Sequence, residues 1–352
     1  MRKMATIRIV NSIRPIVDAD AIECAIVGGW TVVVKKGEFV AGDFAVYCEI
    51  DSFIPSTIAP YLTKPGQYAK TYNDVEGERL RTVRLRGQLS QGLLLSITAV
   101  GQLVDIPTGK AVVLADLSIV QDGHDVSELL GIEKFEPAVP AHLAGEVKGL
   151  FPSRIPKTDQ ERIQNLTAEL EEWKSKGLTW EITEKLDGSS MTVYRLHGEI
   201  GVCSRNLDLK YNLENSLWRA ASAQSLPDVL EKVGRDIAIQ GELIGNGIQG
   251  NKYKLRDQSF HVYDIYDIEA GRYFTPAERL AFVTEHNIKH VPIFEHAKVI
   301  TMNVKELLDF AEGNSVVGEG VKPIREGVVY KCNEEQVSFK AINNTFLLKN
   351  GD

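Results

Sequence analysis

The chain has 352 residues, 43% of them hydrophobic and 25% charged, and a formal net charge of −8, which allows two globular domains with cores of their own. No run of about 18 apolar residues and no charged-apolar-small leader is seen, so neither a membrane-spanning helix nor a secretory signal is expected, and a cytoplasmic monomer is. The four cysteines (Cys24, Cys48, Cys203, Cys332) lie far apart with no C-x-x-C pair, which argues against a disulfide framework or a zinc site and for reduced core thiols.

Residues 4 to 54 carry short β-rich runs at Ala5–Val10, Glu23–Ile26, Thr31–Lys35 and Phe44–Ile50, separated by turns at Gly28-Gly29, Lys36-Gly37 and Ala41-Gly42-Asp43. Strands so short and closely spaced predict a small barrel of the OB type. Glu49 and Asp51 are read as solvated strand-end charges, the alternative being functional acids. From Tyr61 to Leu95 the composition shifts: Tyr61, Lys64, Tyr68, Lys70 and Tyr72 are interleaved, and Arg79, Arg81, Arg84 and Arg86 follow. Aromatic faces stack on bases and arginines meet phosphates, so Tyr68, Arg79, Arg84 and Arg86 are candidate nucleic-acid contacts; the alternative is a solvated strand. Neither half of the chain is basic overall, so such a surface must be local. Leu93–Ile97 predicts a further barrel strand, Val112–Leu114 and Leu117–Val120 complete the module, and Asp125–Gly131 predicts one short helix stopped by Gly131.

The expected division is a barrel over 1–132, a linker rich in proline and glycine over 133–157, and a second domain over 158–352. Thr158-Asp-Gln-Glu161 fits a capping box, followed by Ile163, Leu166, Leu170 and Trp173 at helical spacing, with Gly177 as the stop. Arg162 would then lie in the first turn, where a cation is disfavoured and an anionic ligand is favoured.

The chemistry is placed on Thr183-Glu-Lys-Leu-Asp-Gly-Ser-Ser-Met-Thr-Val-Tyr194, read as strand, tight turn, strand, with Gly188 accepting a positive φ. Lys185 sits at the strand end beside Asp187. A lone Lys-x-Asp-Gly is weak, but further polar groups recur on apolar runs: Ser204-Arg205-Asn206, Glu242 within Ile237–Ile244, Asp264 within Phe260–Tyr266, and Glu326 and Lys340 on what reads as a hairpin. Acids and lysines on successive strands are what a polar pocket in a sheeted core requires.

In order and spacing, Lys185-x-Asp187-Gly188, Ser204-Arg205-Asn206, Gly241-Glu242-Leu243, Val262-Tyr-Asp264, Glu326-Gly-Val-Val329 and Ser338-Phe-Lys340 resemble the nucleotidyltransferase motifs shared by ATP-dependent polynucleotide ligases and mRNA capping enzymes. Ile155-Pro-Lys-Thr-Asp159, Arg162-Ile-Gln-Asn165, and Gly247-Ile-Gln-Gly-Asn251 with Tyr253 are similar to the fifth family of RNA ligases, which carries its OB module first. Ser190 stands where DNA-sealing enzymes usually have arginine, and Ser338 replaces the first lysine of the last motif.

The resemblance implies an α+β chain, an OB-like barrel followed by an adenylyltransferase domain of antiparallel sheets with flanking helices. It implies ATP and Mg²⁺ or Mn²⁺ as cofactors and a nicked or broken RNA with 3′-OH and 5′-phosphate ends as partner. Lys185 would take AMP as a phosphoramidate, and the amine must be neutral to attack. A free lysine titrates near ~10.4, so its pKa must fall by roughly 3 for half to be unprotonated at neutral pH. Carboxylates alone push it the other way, which implies a metal anchored by Asp187, Glu242 and Glu326. Lys340 is implied as the α-phosphate contact and Arg162 as a pyrophosphate contact. Tyr263, with Phe260 as a substitute, would stack on adenine, Glu184 would read the base edge, and Arg205 and Asn206 would meet the ribose or the RNA end. Tyr263 as a plain core aromatic stays open. The rival readings are a DNA ligase or guanylyltransferase, and a non-catalytic RNA-binding OB protein with an inactive transferase domain.

Overall fold

The computed structural model describes residues 2–97, 121–136 and 145–350. The expected strands Val112–Leu114 and Leu117–Val120, and the linker residues Pro137 and Pro140, lie outside these. The chain forms two compact units, one of Met1–Pro137 with Gln164–Thr167 and Leu347–Asp352, the other of Ala138–Ile163 and Ala168–Phe346. Among the described residues no helix is long and apolar enough to cross a membrane.

The first unit is an OB-like assembly of antiparallel strands. Ala5–Ile9 and Leu93–Ser96 flank Phe44–Cys48, and Ile22–Val27 lies between Ser12–Pro15 and Trp30–Lys35. Period-two alternation turns Trp30, Val32 and Val34 inward, as a strand with one buried face demands. Two expectations fail here. Asp125–Gly131 makes turns rather than a helix, with Gly131 at φ 60. Glu49 is buried, paired with Arg2 and accepting from Asn165 at 2.9 Å, so it is no solvated strand end. Asp51 pairs with Arg79 at 2.8 Å.

The second unit holds two sheets. Seven strands run in the order Val147–Leu150, Leu207–Leu209, Glu199–Cys203, Ser189–Leu196, Ile237–Ile244, Ser259–Asp267 and Arg272–Tyr273. Five run in the order Glu161–Arg162, Ser338–Ile342, Gly327–Cys332, Thr179–Lys185 and Ile293–Val299. The first sheet buries Met191, Val193, Ile239, Phe260 and Val262 against Trp218 and Leu230 of the helices Ser216–Ala223 and Leu226–Val233. The second stacks Phe339 between Trp173 and Tyr330, at 5.7 and 4.6 Å between ring centroids.

Residues 186–188 do not close a hairpin: they carry the chain from the five-stranded sheet to the seven-stranded one. Gly188 has no positive φ. Its lack of a side chain serves close approach instead, since a Cβ there would meet the Leu243 carbonyl oxygen at 2.2 Å. The capping box at Thr158 is absent too. Glu161–Arg162 is a short strand parallel to Phe339–Lys340, and the helix runs over Thr167–Lys176. Pairing with Lys340's strand satisfies that backbone, so tertiary structure overrides the local helix signal.

Beneath the strands lies a buried ionic network. Arg279, 1% exposed, pairs with Glu181, lies 3.7 Å from Asp264, and donates through Nε to His290 Nε2 at 3.0 Å. Lys331 pairs with Asp264 and donates to the Tyr263 carbonyl. Burial and the Arg279 charge push His290 down to about 3, so it stays a neutral acceptor. Burial holds Lys331 down at about 8. All four cysteines are buried and unbridged, and burial raises each thiol, that of Cys48 to about 12.

Candidate active site

Strand register assembles the site. Lys185, last residue of its strand, lies across from Gly327, which places Glu326 within reach: Lys185 Nζ donates to Glu326 Oε1 at 2.7 Å. Glu242 faces Ser190 on the neighbouring strand and accepts from the Gly188 N–H at 2.9 Å. Lys340, opposite Val329 and beside Arg162, is buried and ion-paired with Asp159 at 2.9 Å. Arg162 is itself buried.

The electrostatics are those of a lysine among acids. Burial is the largest influence on Lys185 and lowers its pKa, yet the charges of Glu326 and Glu242 and the hydrogen bond outweigh it, so the amine is held above its ordinary value. Glu242 is raised to about 7, first by burial and then by Glu326, with Lys185 opposing. Its folded value exceeds that of the unfolded chain. The protonated form therefore contributes stability that is fully present below about pH 4.5 and is lost as the pH rises through 7. Glu242→Gln should thus melt higher than the wild type at pH 8.5 without metal, by the equivalent of about 1–3 kcal/mol, and show no gain at pH 4.5. Equal gains in calorimetry at both pH values would mean that the carboxyl titrates ordinarily.

A divalent cation suits this donor set. Glu326 Oε2 is buried and has no hydrogen-bond partner, and the part-buried carboxylates of Glu242 and Glu326 are hard oxygen ligands. Among the described residues no three of His, Cys, Asp and Glu converge into a ready cage. The Asp187 carboxylate is ion-paired with Lys252, and the Asp187 N–H donates to the Tyr253 hydroxyl at 2.8 Å. Such a site would complete its ion with water and phosphate oxygens.

Tyr263 shares a bond of 2.9 Å between its hydroxyl and Thr158 Oγ1, and packs with Val317 against Leu186 and Val291. Glu184 accepts from the Val316 N–H at 3.1 Å, and its other oxygen is buried and without a hydrogen-bond partner. A shallow cleft is lined by Phe151, Lys157, Thr158, Ser190, Arg205 and Gln240. Asn206 accepts from Lys157 at 2.6 Å. Phe260 does not reach this region: fully buried, it packs in the apolar core of the sheet. In the first unit, Tyr68 is 98% exposed and Arg84 and Arg86 are exposed on or beside the hairpin of Val83–Leu85 and Gln88–Ser90. Arg79 is not offered to solvent in that way, being paired with Asp51 and set 5.2 Å over the Phe135 ring.

Sequence reasoning missed Lys252, Lys331 and the Arg279–Glu181 pair. Glu181 and Lys331 were detectable as charges on the inward side of apolar strands; Lys252, in an irregular loop, leaves no periodic signal.

A family model described as RNA ligase matches residues 178–342, and one described as an OB-fold domain matches residues 4–97. The chain belongs to the RNA ligase family. It is 45% identical to the RNA ligase of Naegleria gruberi, aligning with a variant bound to AMP and Mn at a TM-score of 0.86 over 98% of both chains. A variant with ATP and Mn aligns at 0.86 over 100% of both chains, and the enzyme with PPi at 0.85 over 99% of this chain and 98% of that one. No curated protein matches the chain by sequence.

Proposed function

We propose that the protein is an ATP-dependent RNA ligase that joins a 3′-hydroxyl to a 5′-phosphate, at nicks in duplexes with an RNA 3′-OH strand, through AMP carried on Lys185. The observation that carries this reading is Lys185 at a strand end, hydrogen-bonded to Glu326 with Glu242 beside it. In the first step the Lys185 amine, having lost a proton to solvent, attacks the α-phosphorus of ATP; a P–N bond forms and the bond to pyrophosphate breaks. Lys340 stabilises the charge growing on the α-phosphate, and Arg162, its partner on the adjacent strand, holds the leaving pyrophosphate. Glu242 and Glu326, joined by Asp187, would hold Mg²⁺ or Mn²⁺, whose charge offsets that of the acids and of the phosphate. Tyr263 offers a ring to adenine, and the free oxygen of Glu184 suits an amine donor such as that on its edge. The 5′-phosphate then displaces Lys185 from AMP, and the 3′-hydroxyl displaces AMP to leave a phosphodiester.

The test is a nicked duplex with an RNA 3′-OH and a labelled 5′-phosphate, incubated with ATP and Mn²⁺ and resolved on a denaturing gel. A sealed strand, with the adenylylated 5′ end appearing before it, is the expected result; an unchanged substrate would refute the reading. RNA docking is assigned to the hairpin of the first unit, where Arg84 and Arg86 are exposed. Arg84→Ala/Arg86→Ala should lower sealing about tenfold and flatten its salt dependence by up to about two in log–log slope. Lysine adenylylation should be unaffected.

A further inference from the structure

Lys252 lies on the segment Gly245–Leu255, which leaves the Glu242 strand and folds back over the Lys-x-Asp-Gly motif. Its ammonium pairs with the Asp187 carboxylate and sits 4.5 Å from the centroid of the Phe346 ring. The next residue, Tyr253, accepts the Asp187 N–H, so one dipeptide grips both the side chain and the backbone of that aspartate. The segment is built to hold this pose. Gln249 and Lys254 stand at φ 42 and 56, a strained conformation for such residues, and Asn251 at φ 47 adopts a left-handed turn that asparagine tolerates. Asn251 bonds both the N–H and the carbonyl of Leu255, and the Glu319 N–H donates to the Tyr253 carbonyl. Strain of this kind persists where the surroundings over-determine it, and it concentrates at functional sites.

We propose that Lys252 is a built-in counter-cation for Asp187, a positioning residue that occupies that carboxylate until metal and nucleotide arrive together. The inference rests on the reading that the acids beside Lys185 receive such an ion. An ammonium and a divalent cation cannot share one carboxylate at close range without strong repulsion. Lys252 therefore weakens binding of metal alone, and the metal's affinity is recovered when triphosphate oxygens add their charge. Once displaced, the ammonium is available to an incoming phosphate.

The test is a titration of the nucleotide-free protein with Mn²⁺, followed by electron paramagnetic resonance of the free ion. Lys252→Met should bind Mn²⁺ at least fivefold more tightly than the wild type, Lys252→Arg should match the wild type, and Lys252→Met/Asp187→Asn should lose the gain. Circular dichroism checks each fold, and Lys252→Gln replaces the methionine variant if that one does not fold. Unchanged or weaker Mn²⁺ binding in the neutral variants overturns the proposal, as does a gain that survives loss of Asp187. Adenylate uptake by the wild type, measured in parallel, separates the two readings: tighter Mn²⁺ binding without any uptake supports the counter-cation and removes the ligase chemistry, and normal uptake without tighter binding does the reverse.

Discussion

Lys185→Ala is expected to abolish transfer of label from α-phosphate-labelled ATP to the protein, a loss of at least about 10³-fold, because the proposed reaction forms its P–N bond on the Lys185 amine. The wild type should carry acid-labile label that survives denaturation. Lys185→Arg should fail equally, since a guanidinium stays protonated at any working pH. The same electrostatics predict the pH response. Glu326 and Glu242 hold the Lys185 amine above its ordinary value, so the neutral form becomes scarcer as pH falls, and uptake at saturating Mn²⁺ should climb between pH 6 and 9. Label on the alanine variant, or uptake that falls over that range, would remove Lys185 as the nucleophile.

The second large effect concerns stability. Arg279 lies fully inside the second unit against Glu181, with Asp264 near. Arg279→Ala leaves buried carboxylate charge uncompensated, a loss of about 3–5 kcal/mol. In a unit of this size that amounts to a melting temperature lower by roughly 10 °C. Glu181→Gln/Arg279→Met removes charge and countercharge together and should melt above Arg279→Ala alone. If the double variant is the less stable, the pair is worth more than the desolvation it demands. Because Lys331 shares Asp264 and also holds the Tyr263 carbonyl, loosening this network should reach the ring assigned to the nucleobase. Arg279→Ala preparations that remain folded at low temperature are thus expected to need more ATP for half-maximal adenylylation.

Much of this architecture was legible in the sequence. The barrel strands Ala5–Ile9, Trp30–Lys35 and Phe44–Cys48 announce themselves by alternation and glycine turns, and the hairpin carrying Glu326 and Lys340 forms as read. Charged residues at the ends of apolar runs pointed to the Lys185–Glu326–Glu242 grouping, because a sheet interior tolerates such groups only when they meet partners. The failures share one cause. Thr158–Glu161 has the local chemistry of a helix start, but its neighbour in space, Phe339–Lys340, lies nearly 180 residues away in sequence and offers a strand edge. Lys-Leu-Asp-Gly looks like a hairpin turn, and only the pairing of its two flanking strands with different sheets reveals a crossover. Phe260 and Tyr263 are aromatic residues of one strand, three apart and so on opposite faces, and the residues packed against the sheet, Trp218 and Leu230 among them, make the Phe260 face the apolar core. Arg79 belongs to an arginine-rich stretch, yet Asp51 and Phe135 claim it. Long-range partners made each of these decisions, and no local window contains them.

The buried thiols have a practical corollary. With every native sulfhydryl sealed from solvent and reluctant to ionise, alkylating reagents and mild oxidants should leave the folded enzyme intact. A cysteine introduced at Tyr68 or Arg86 would then be the sole reactive handle on the molecule, ready for a fluorophore or a crosslinker without prior removal of the native ones.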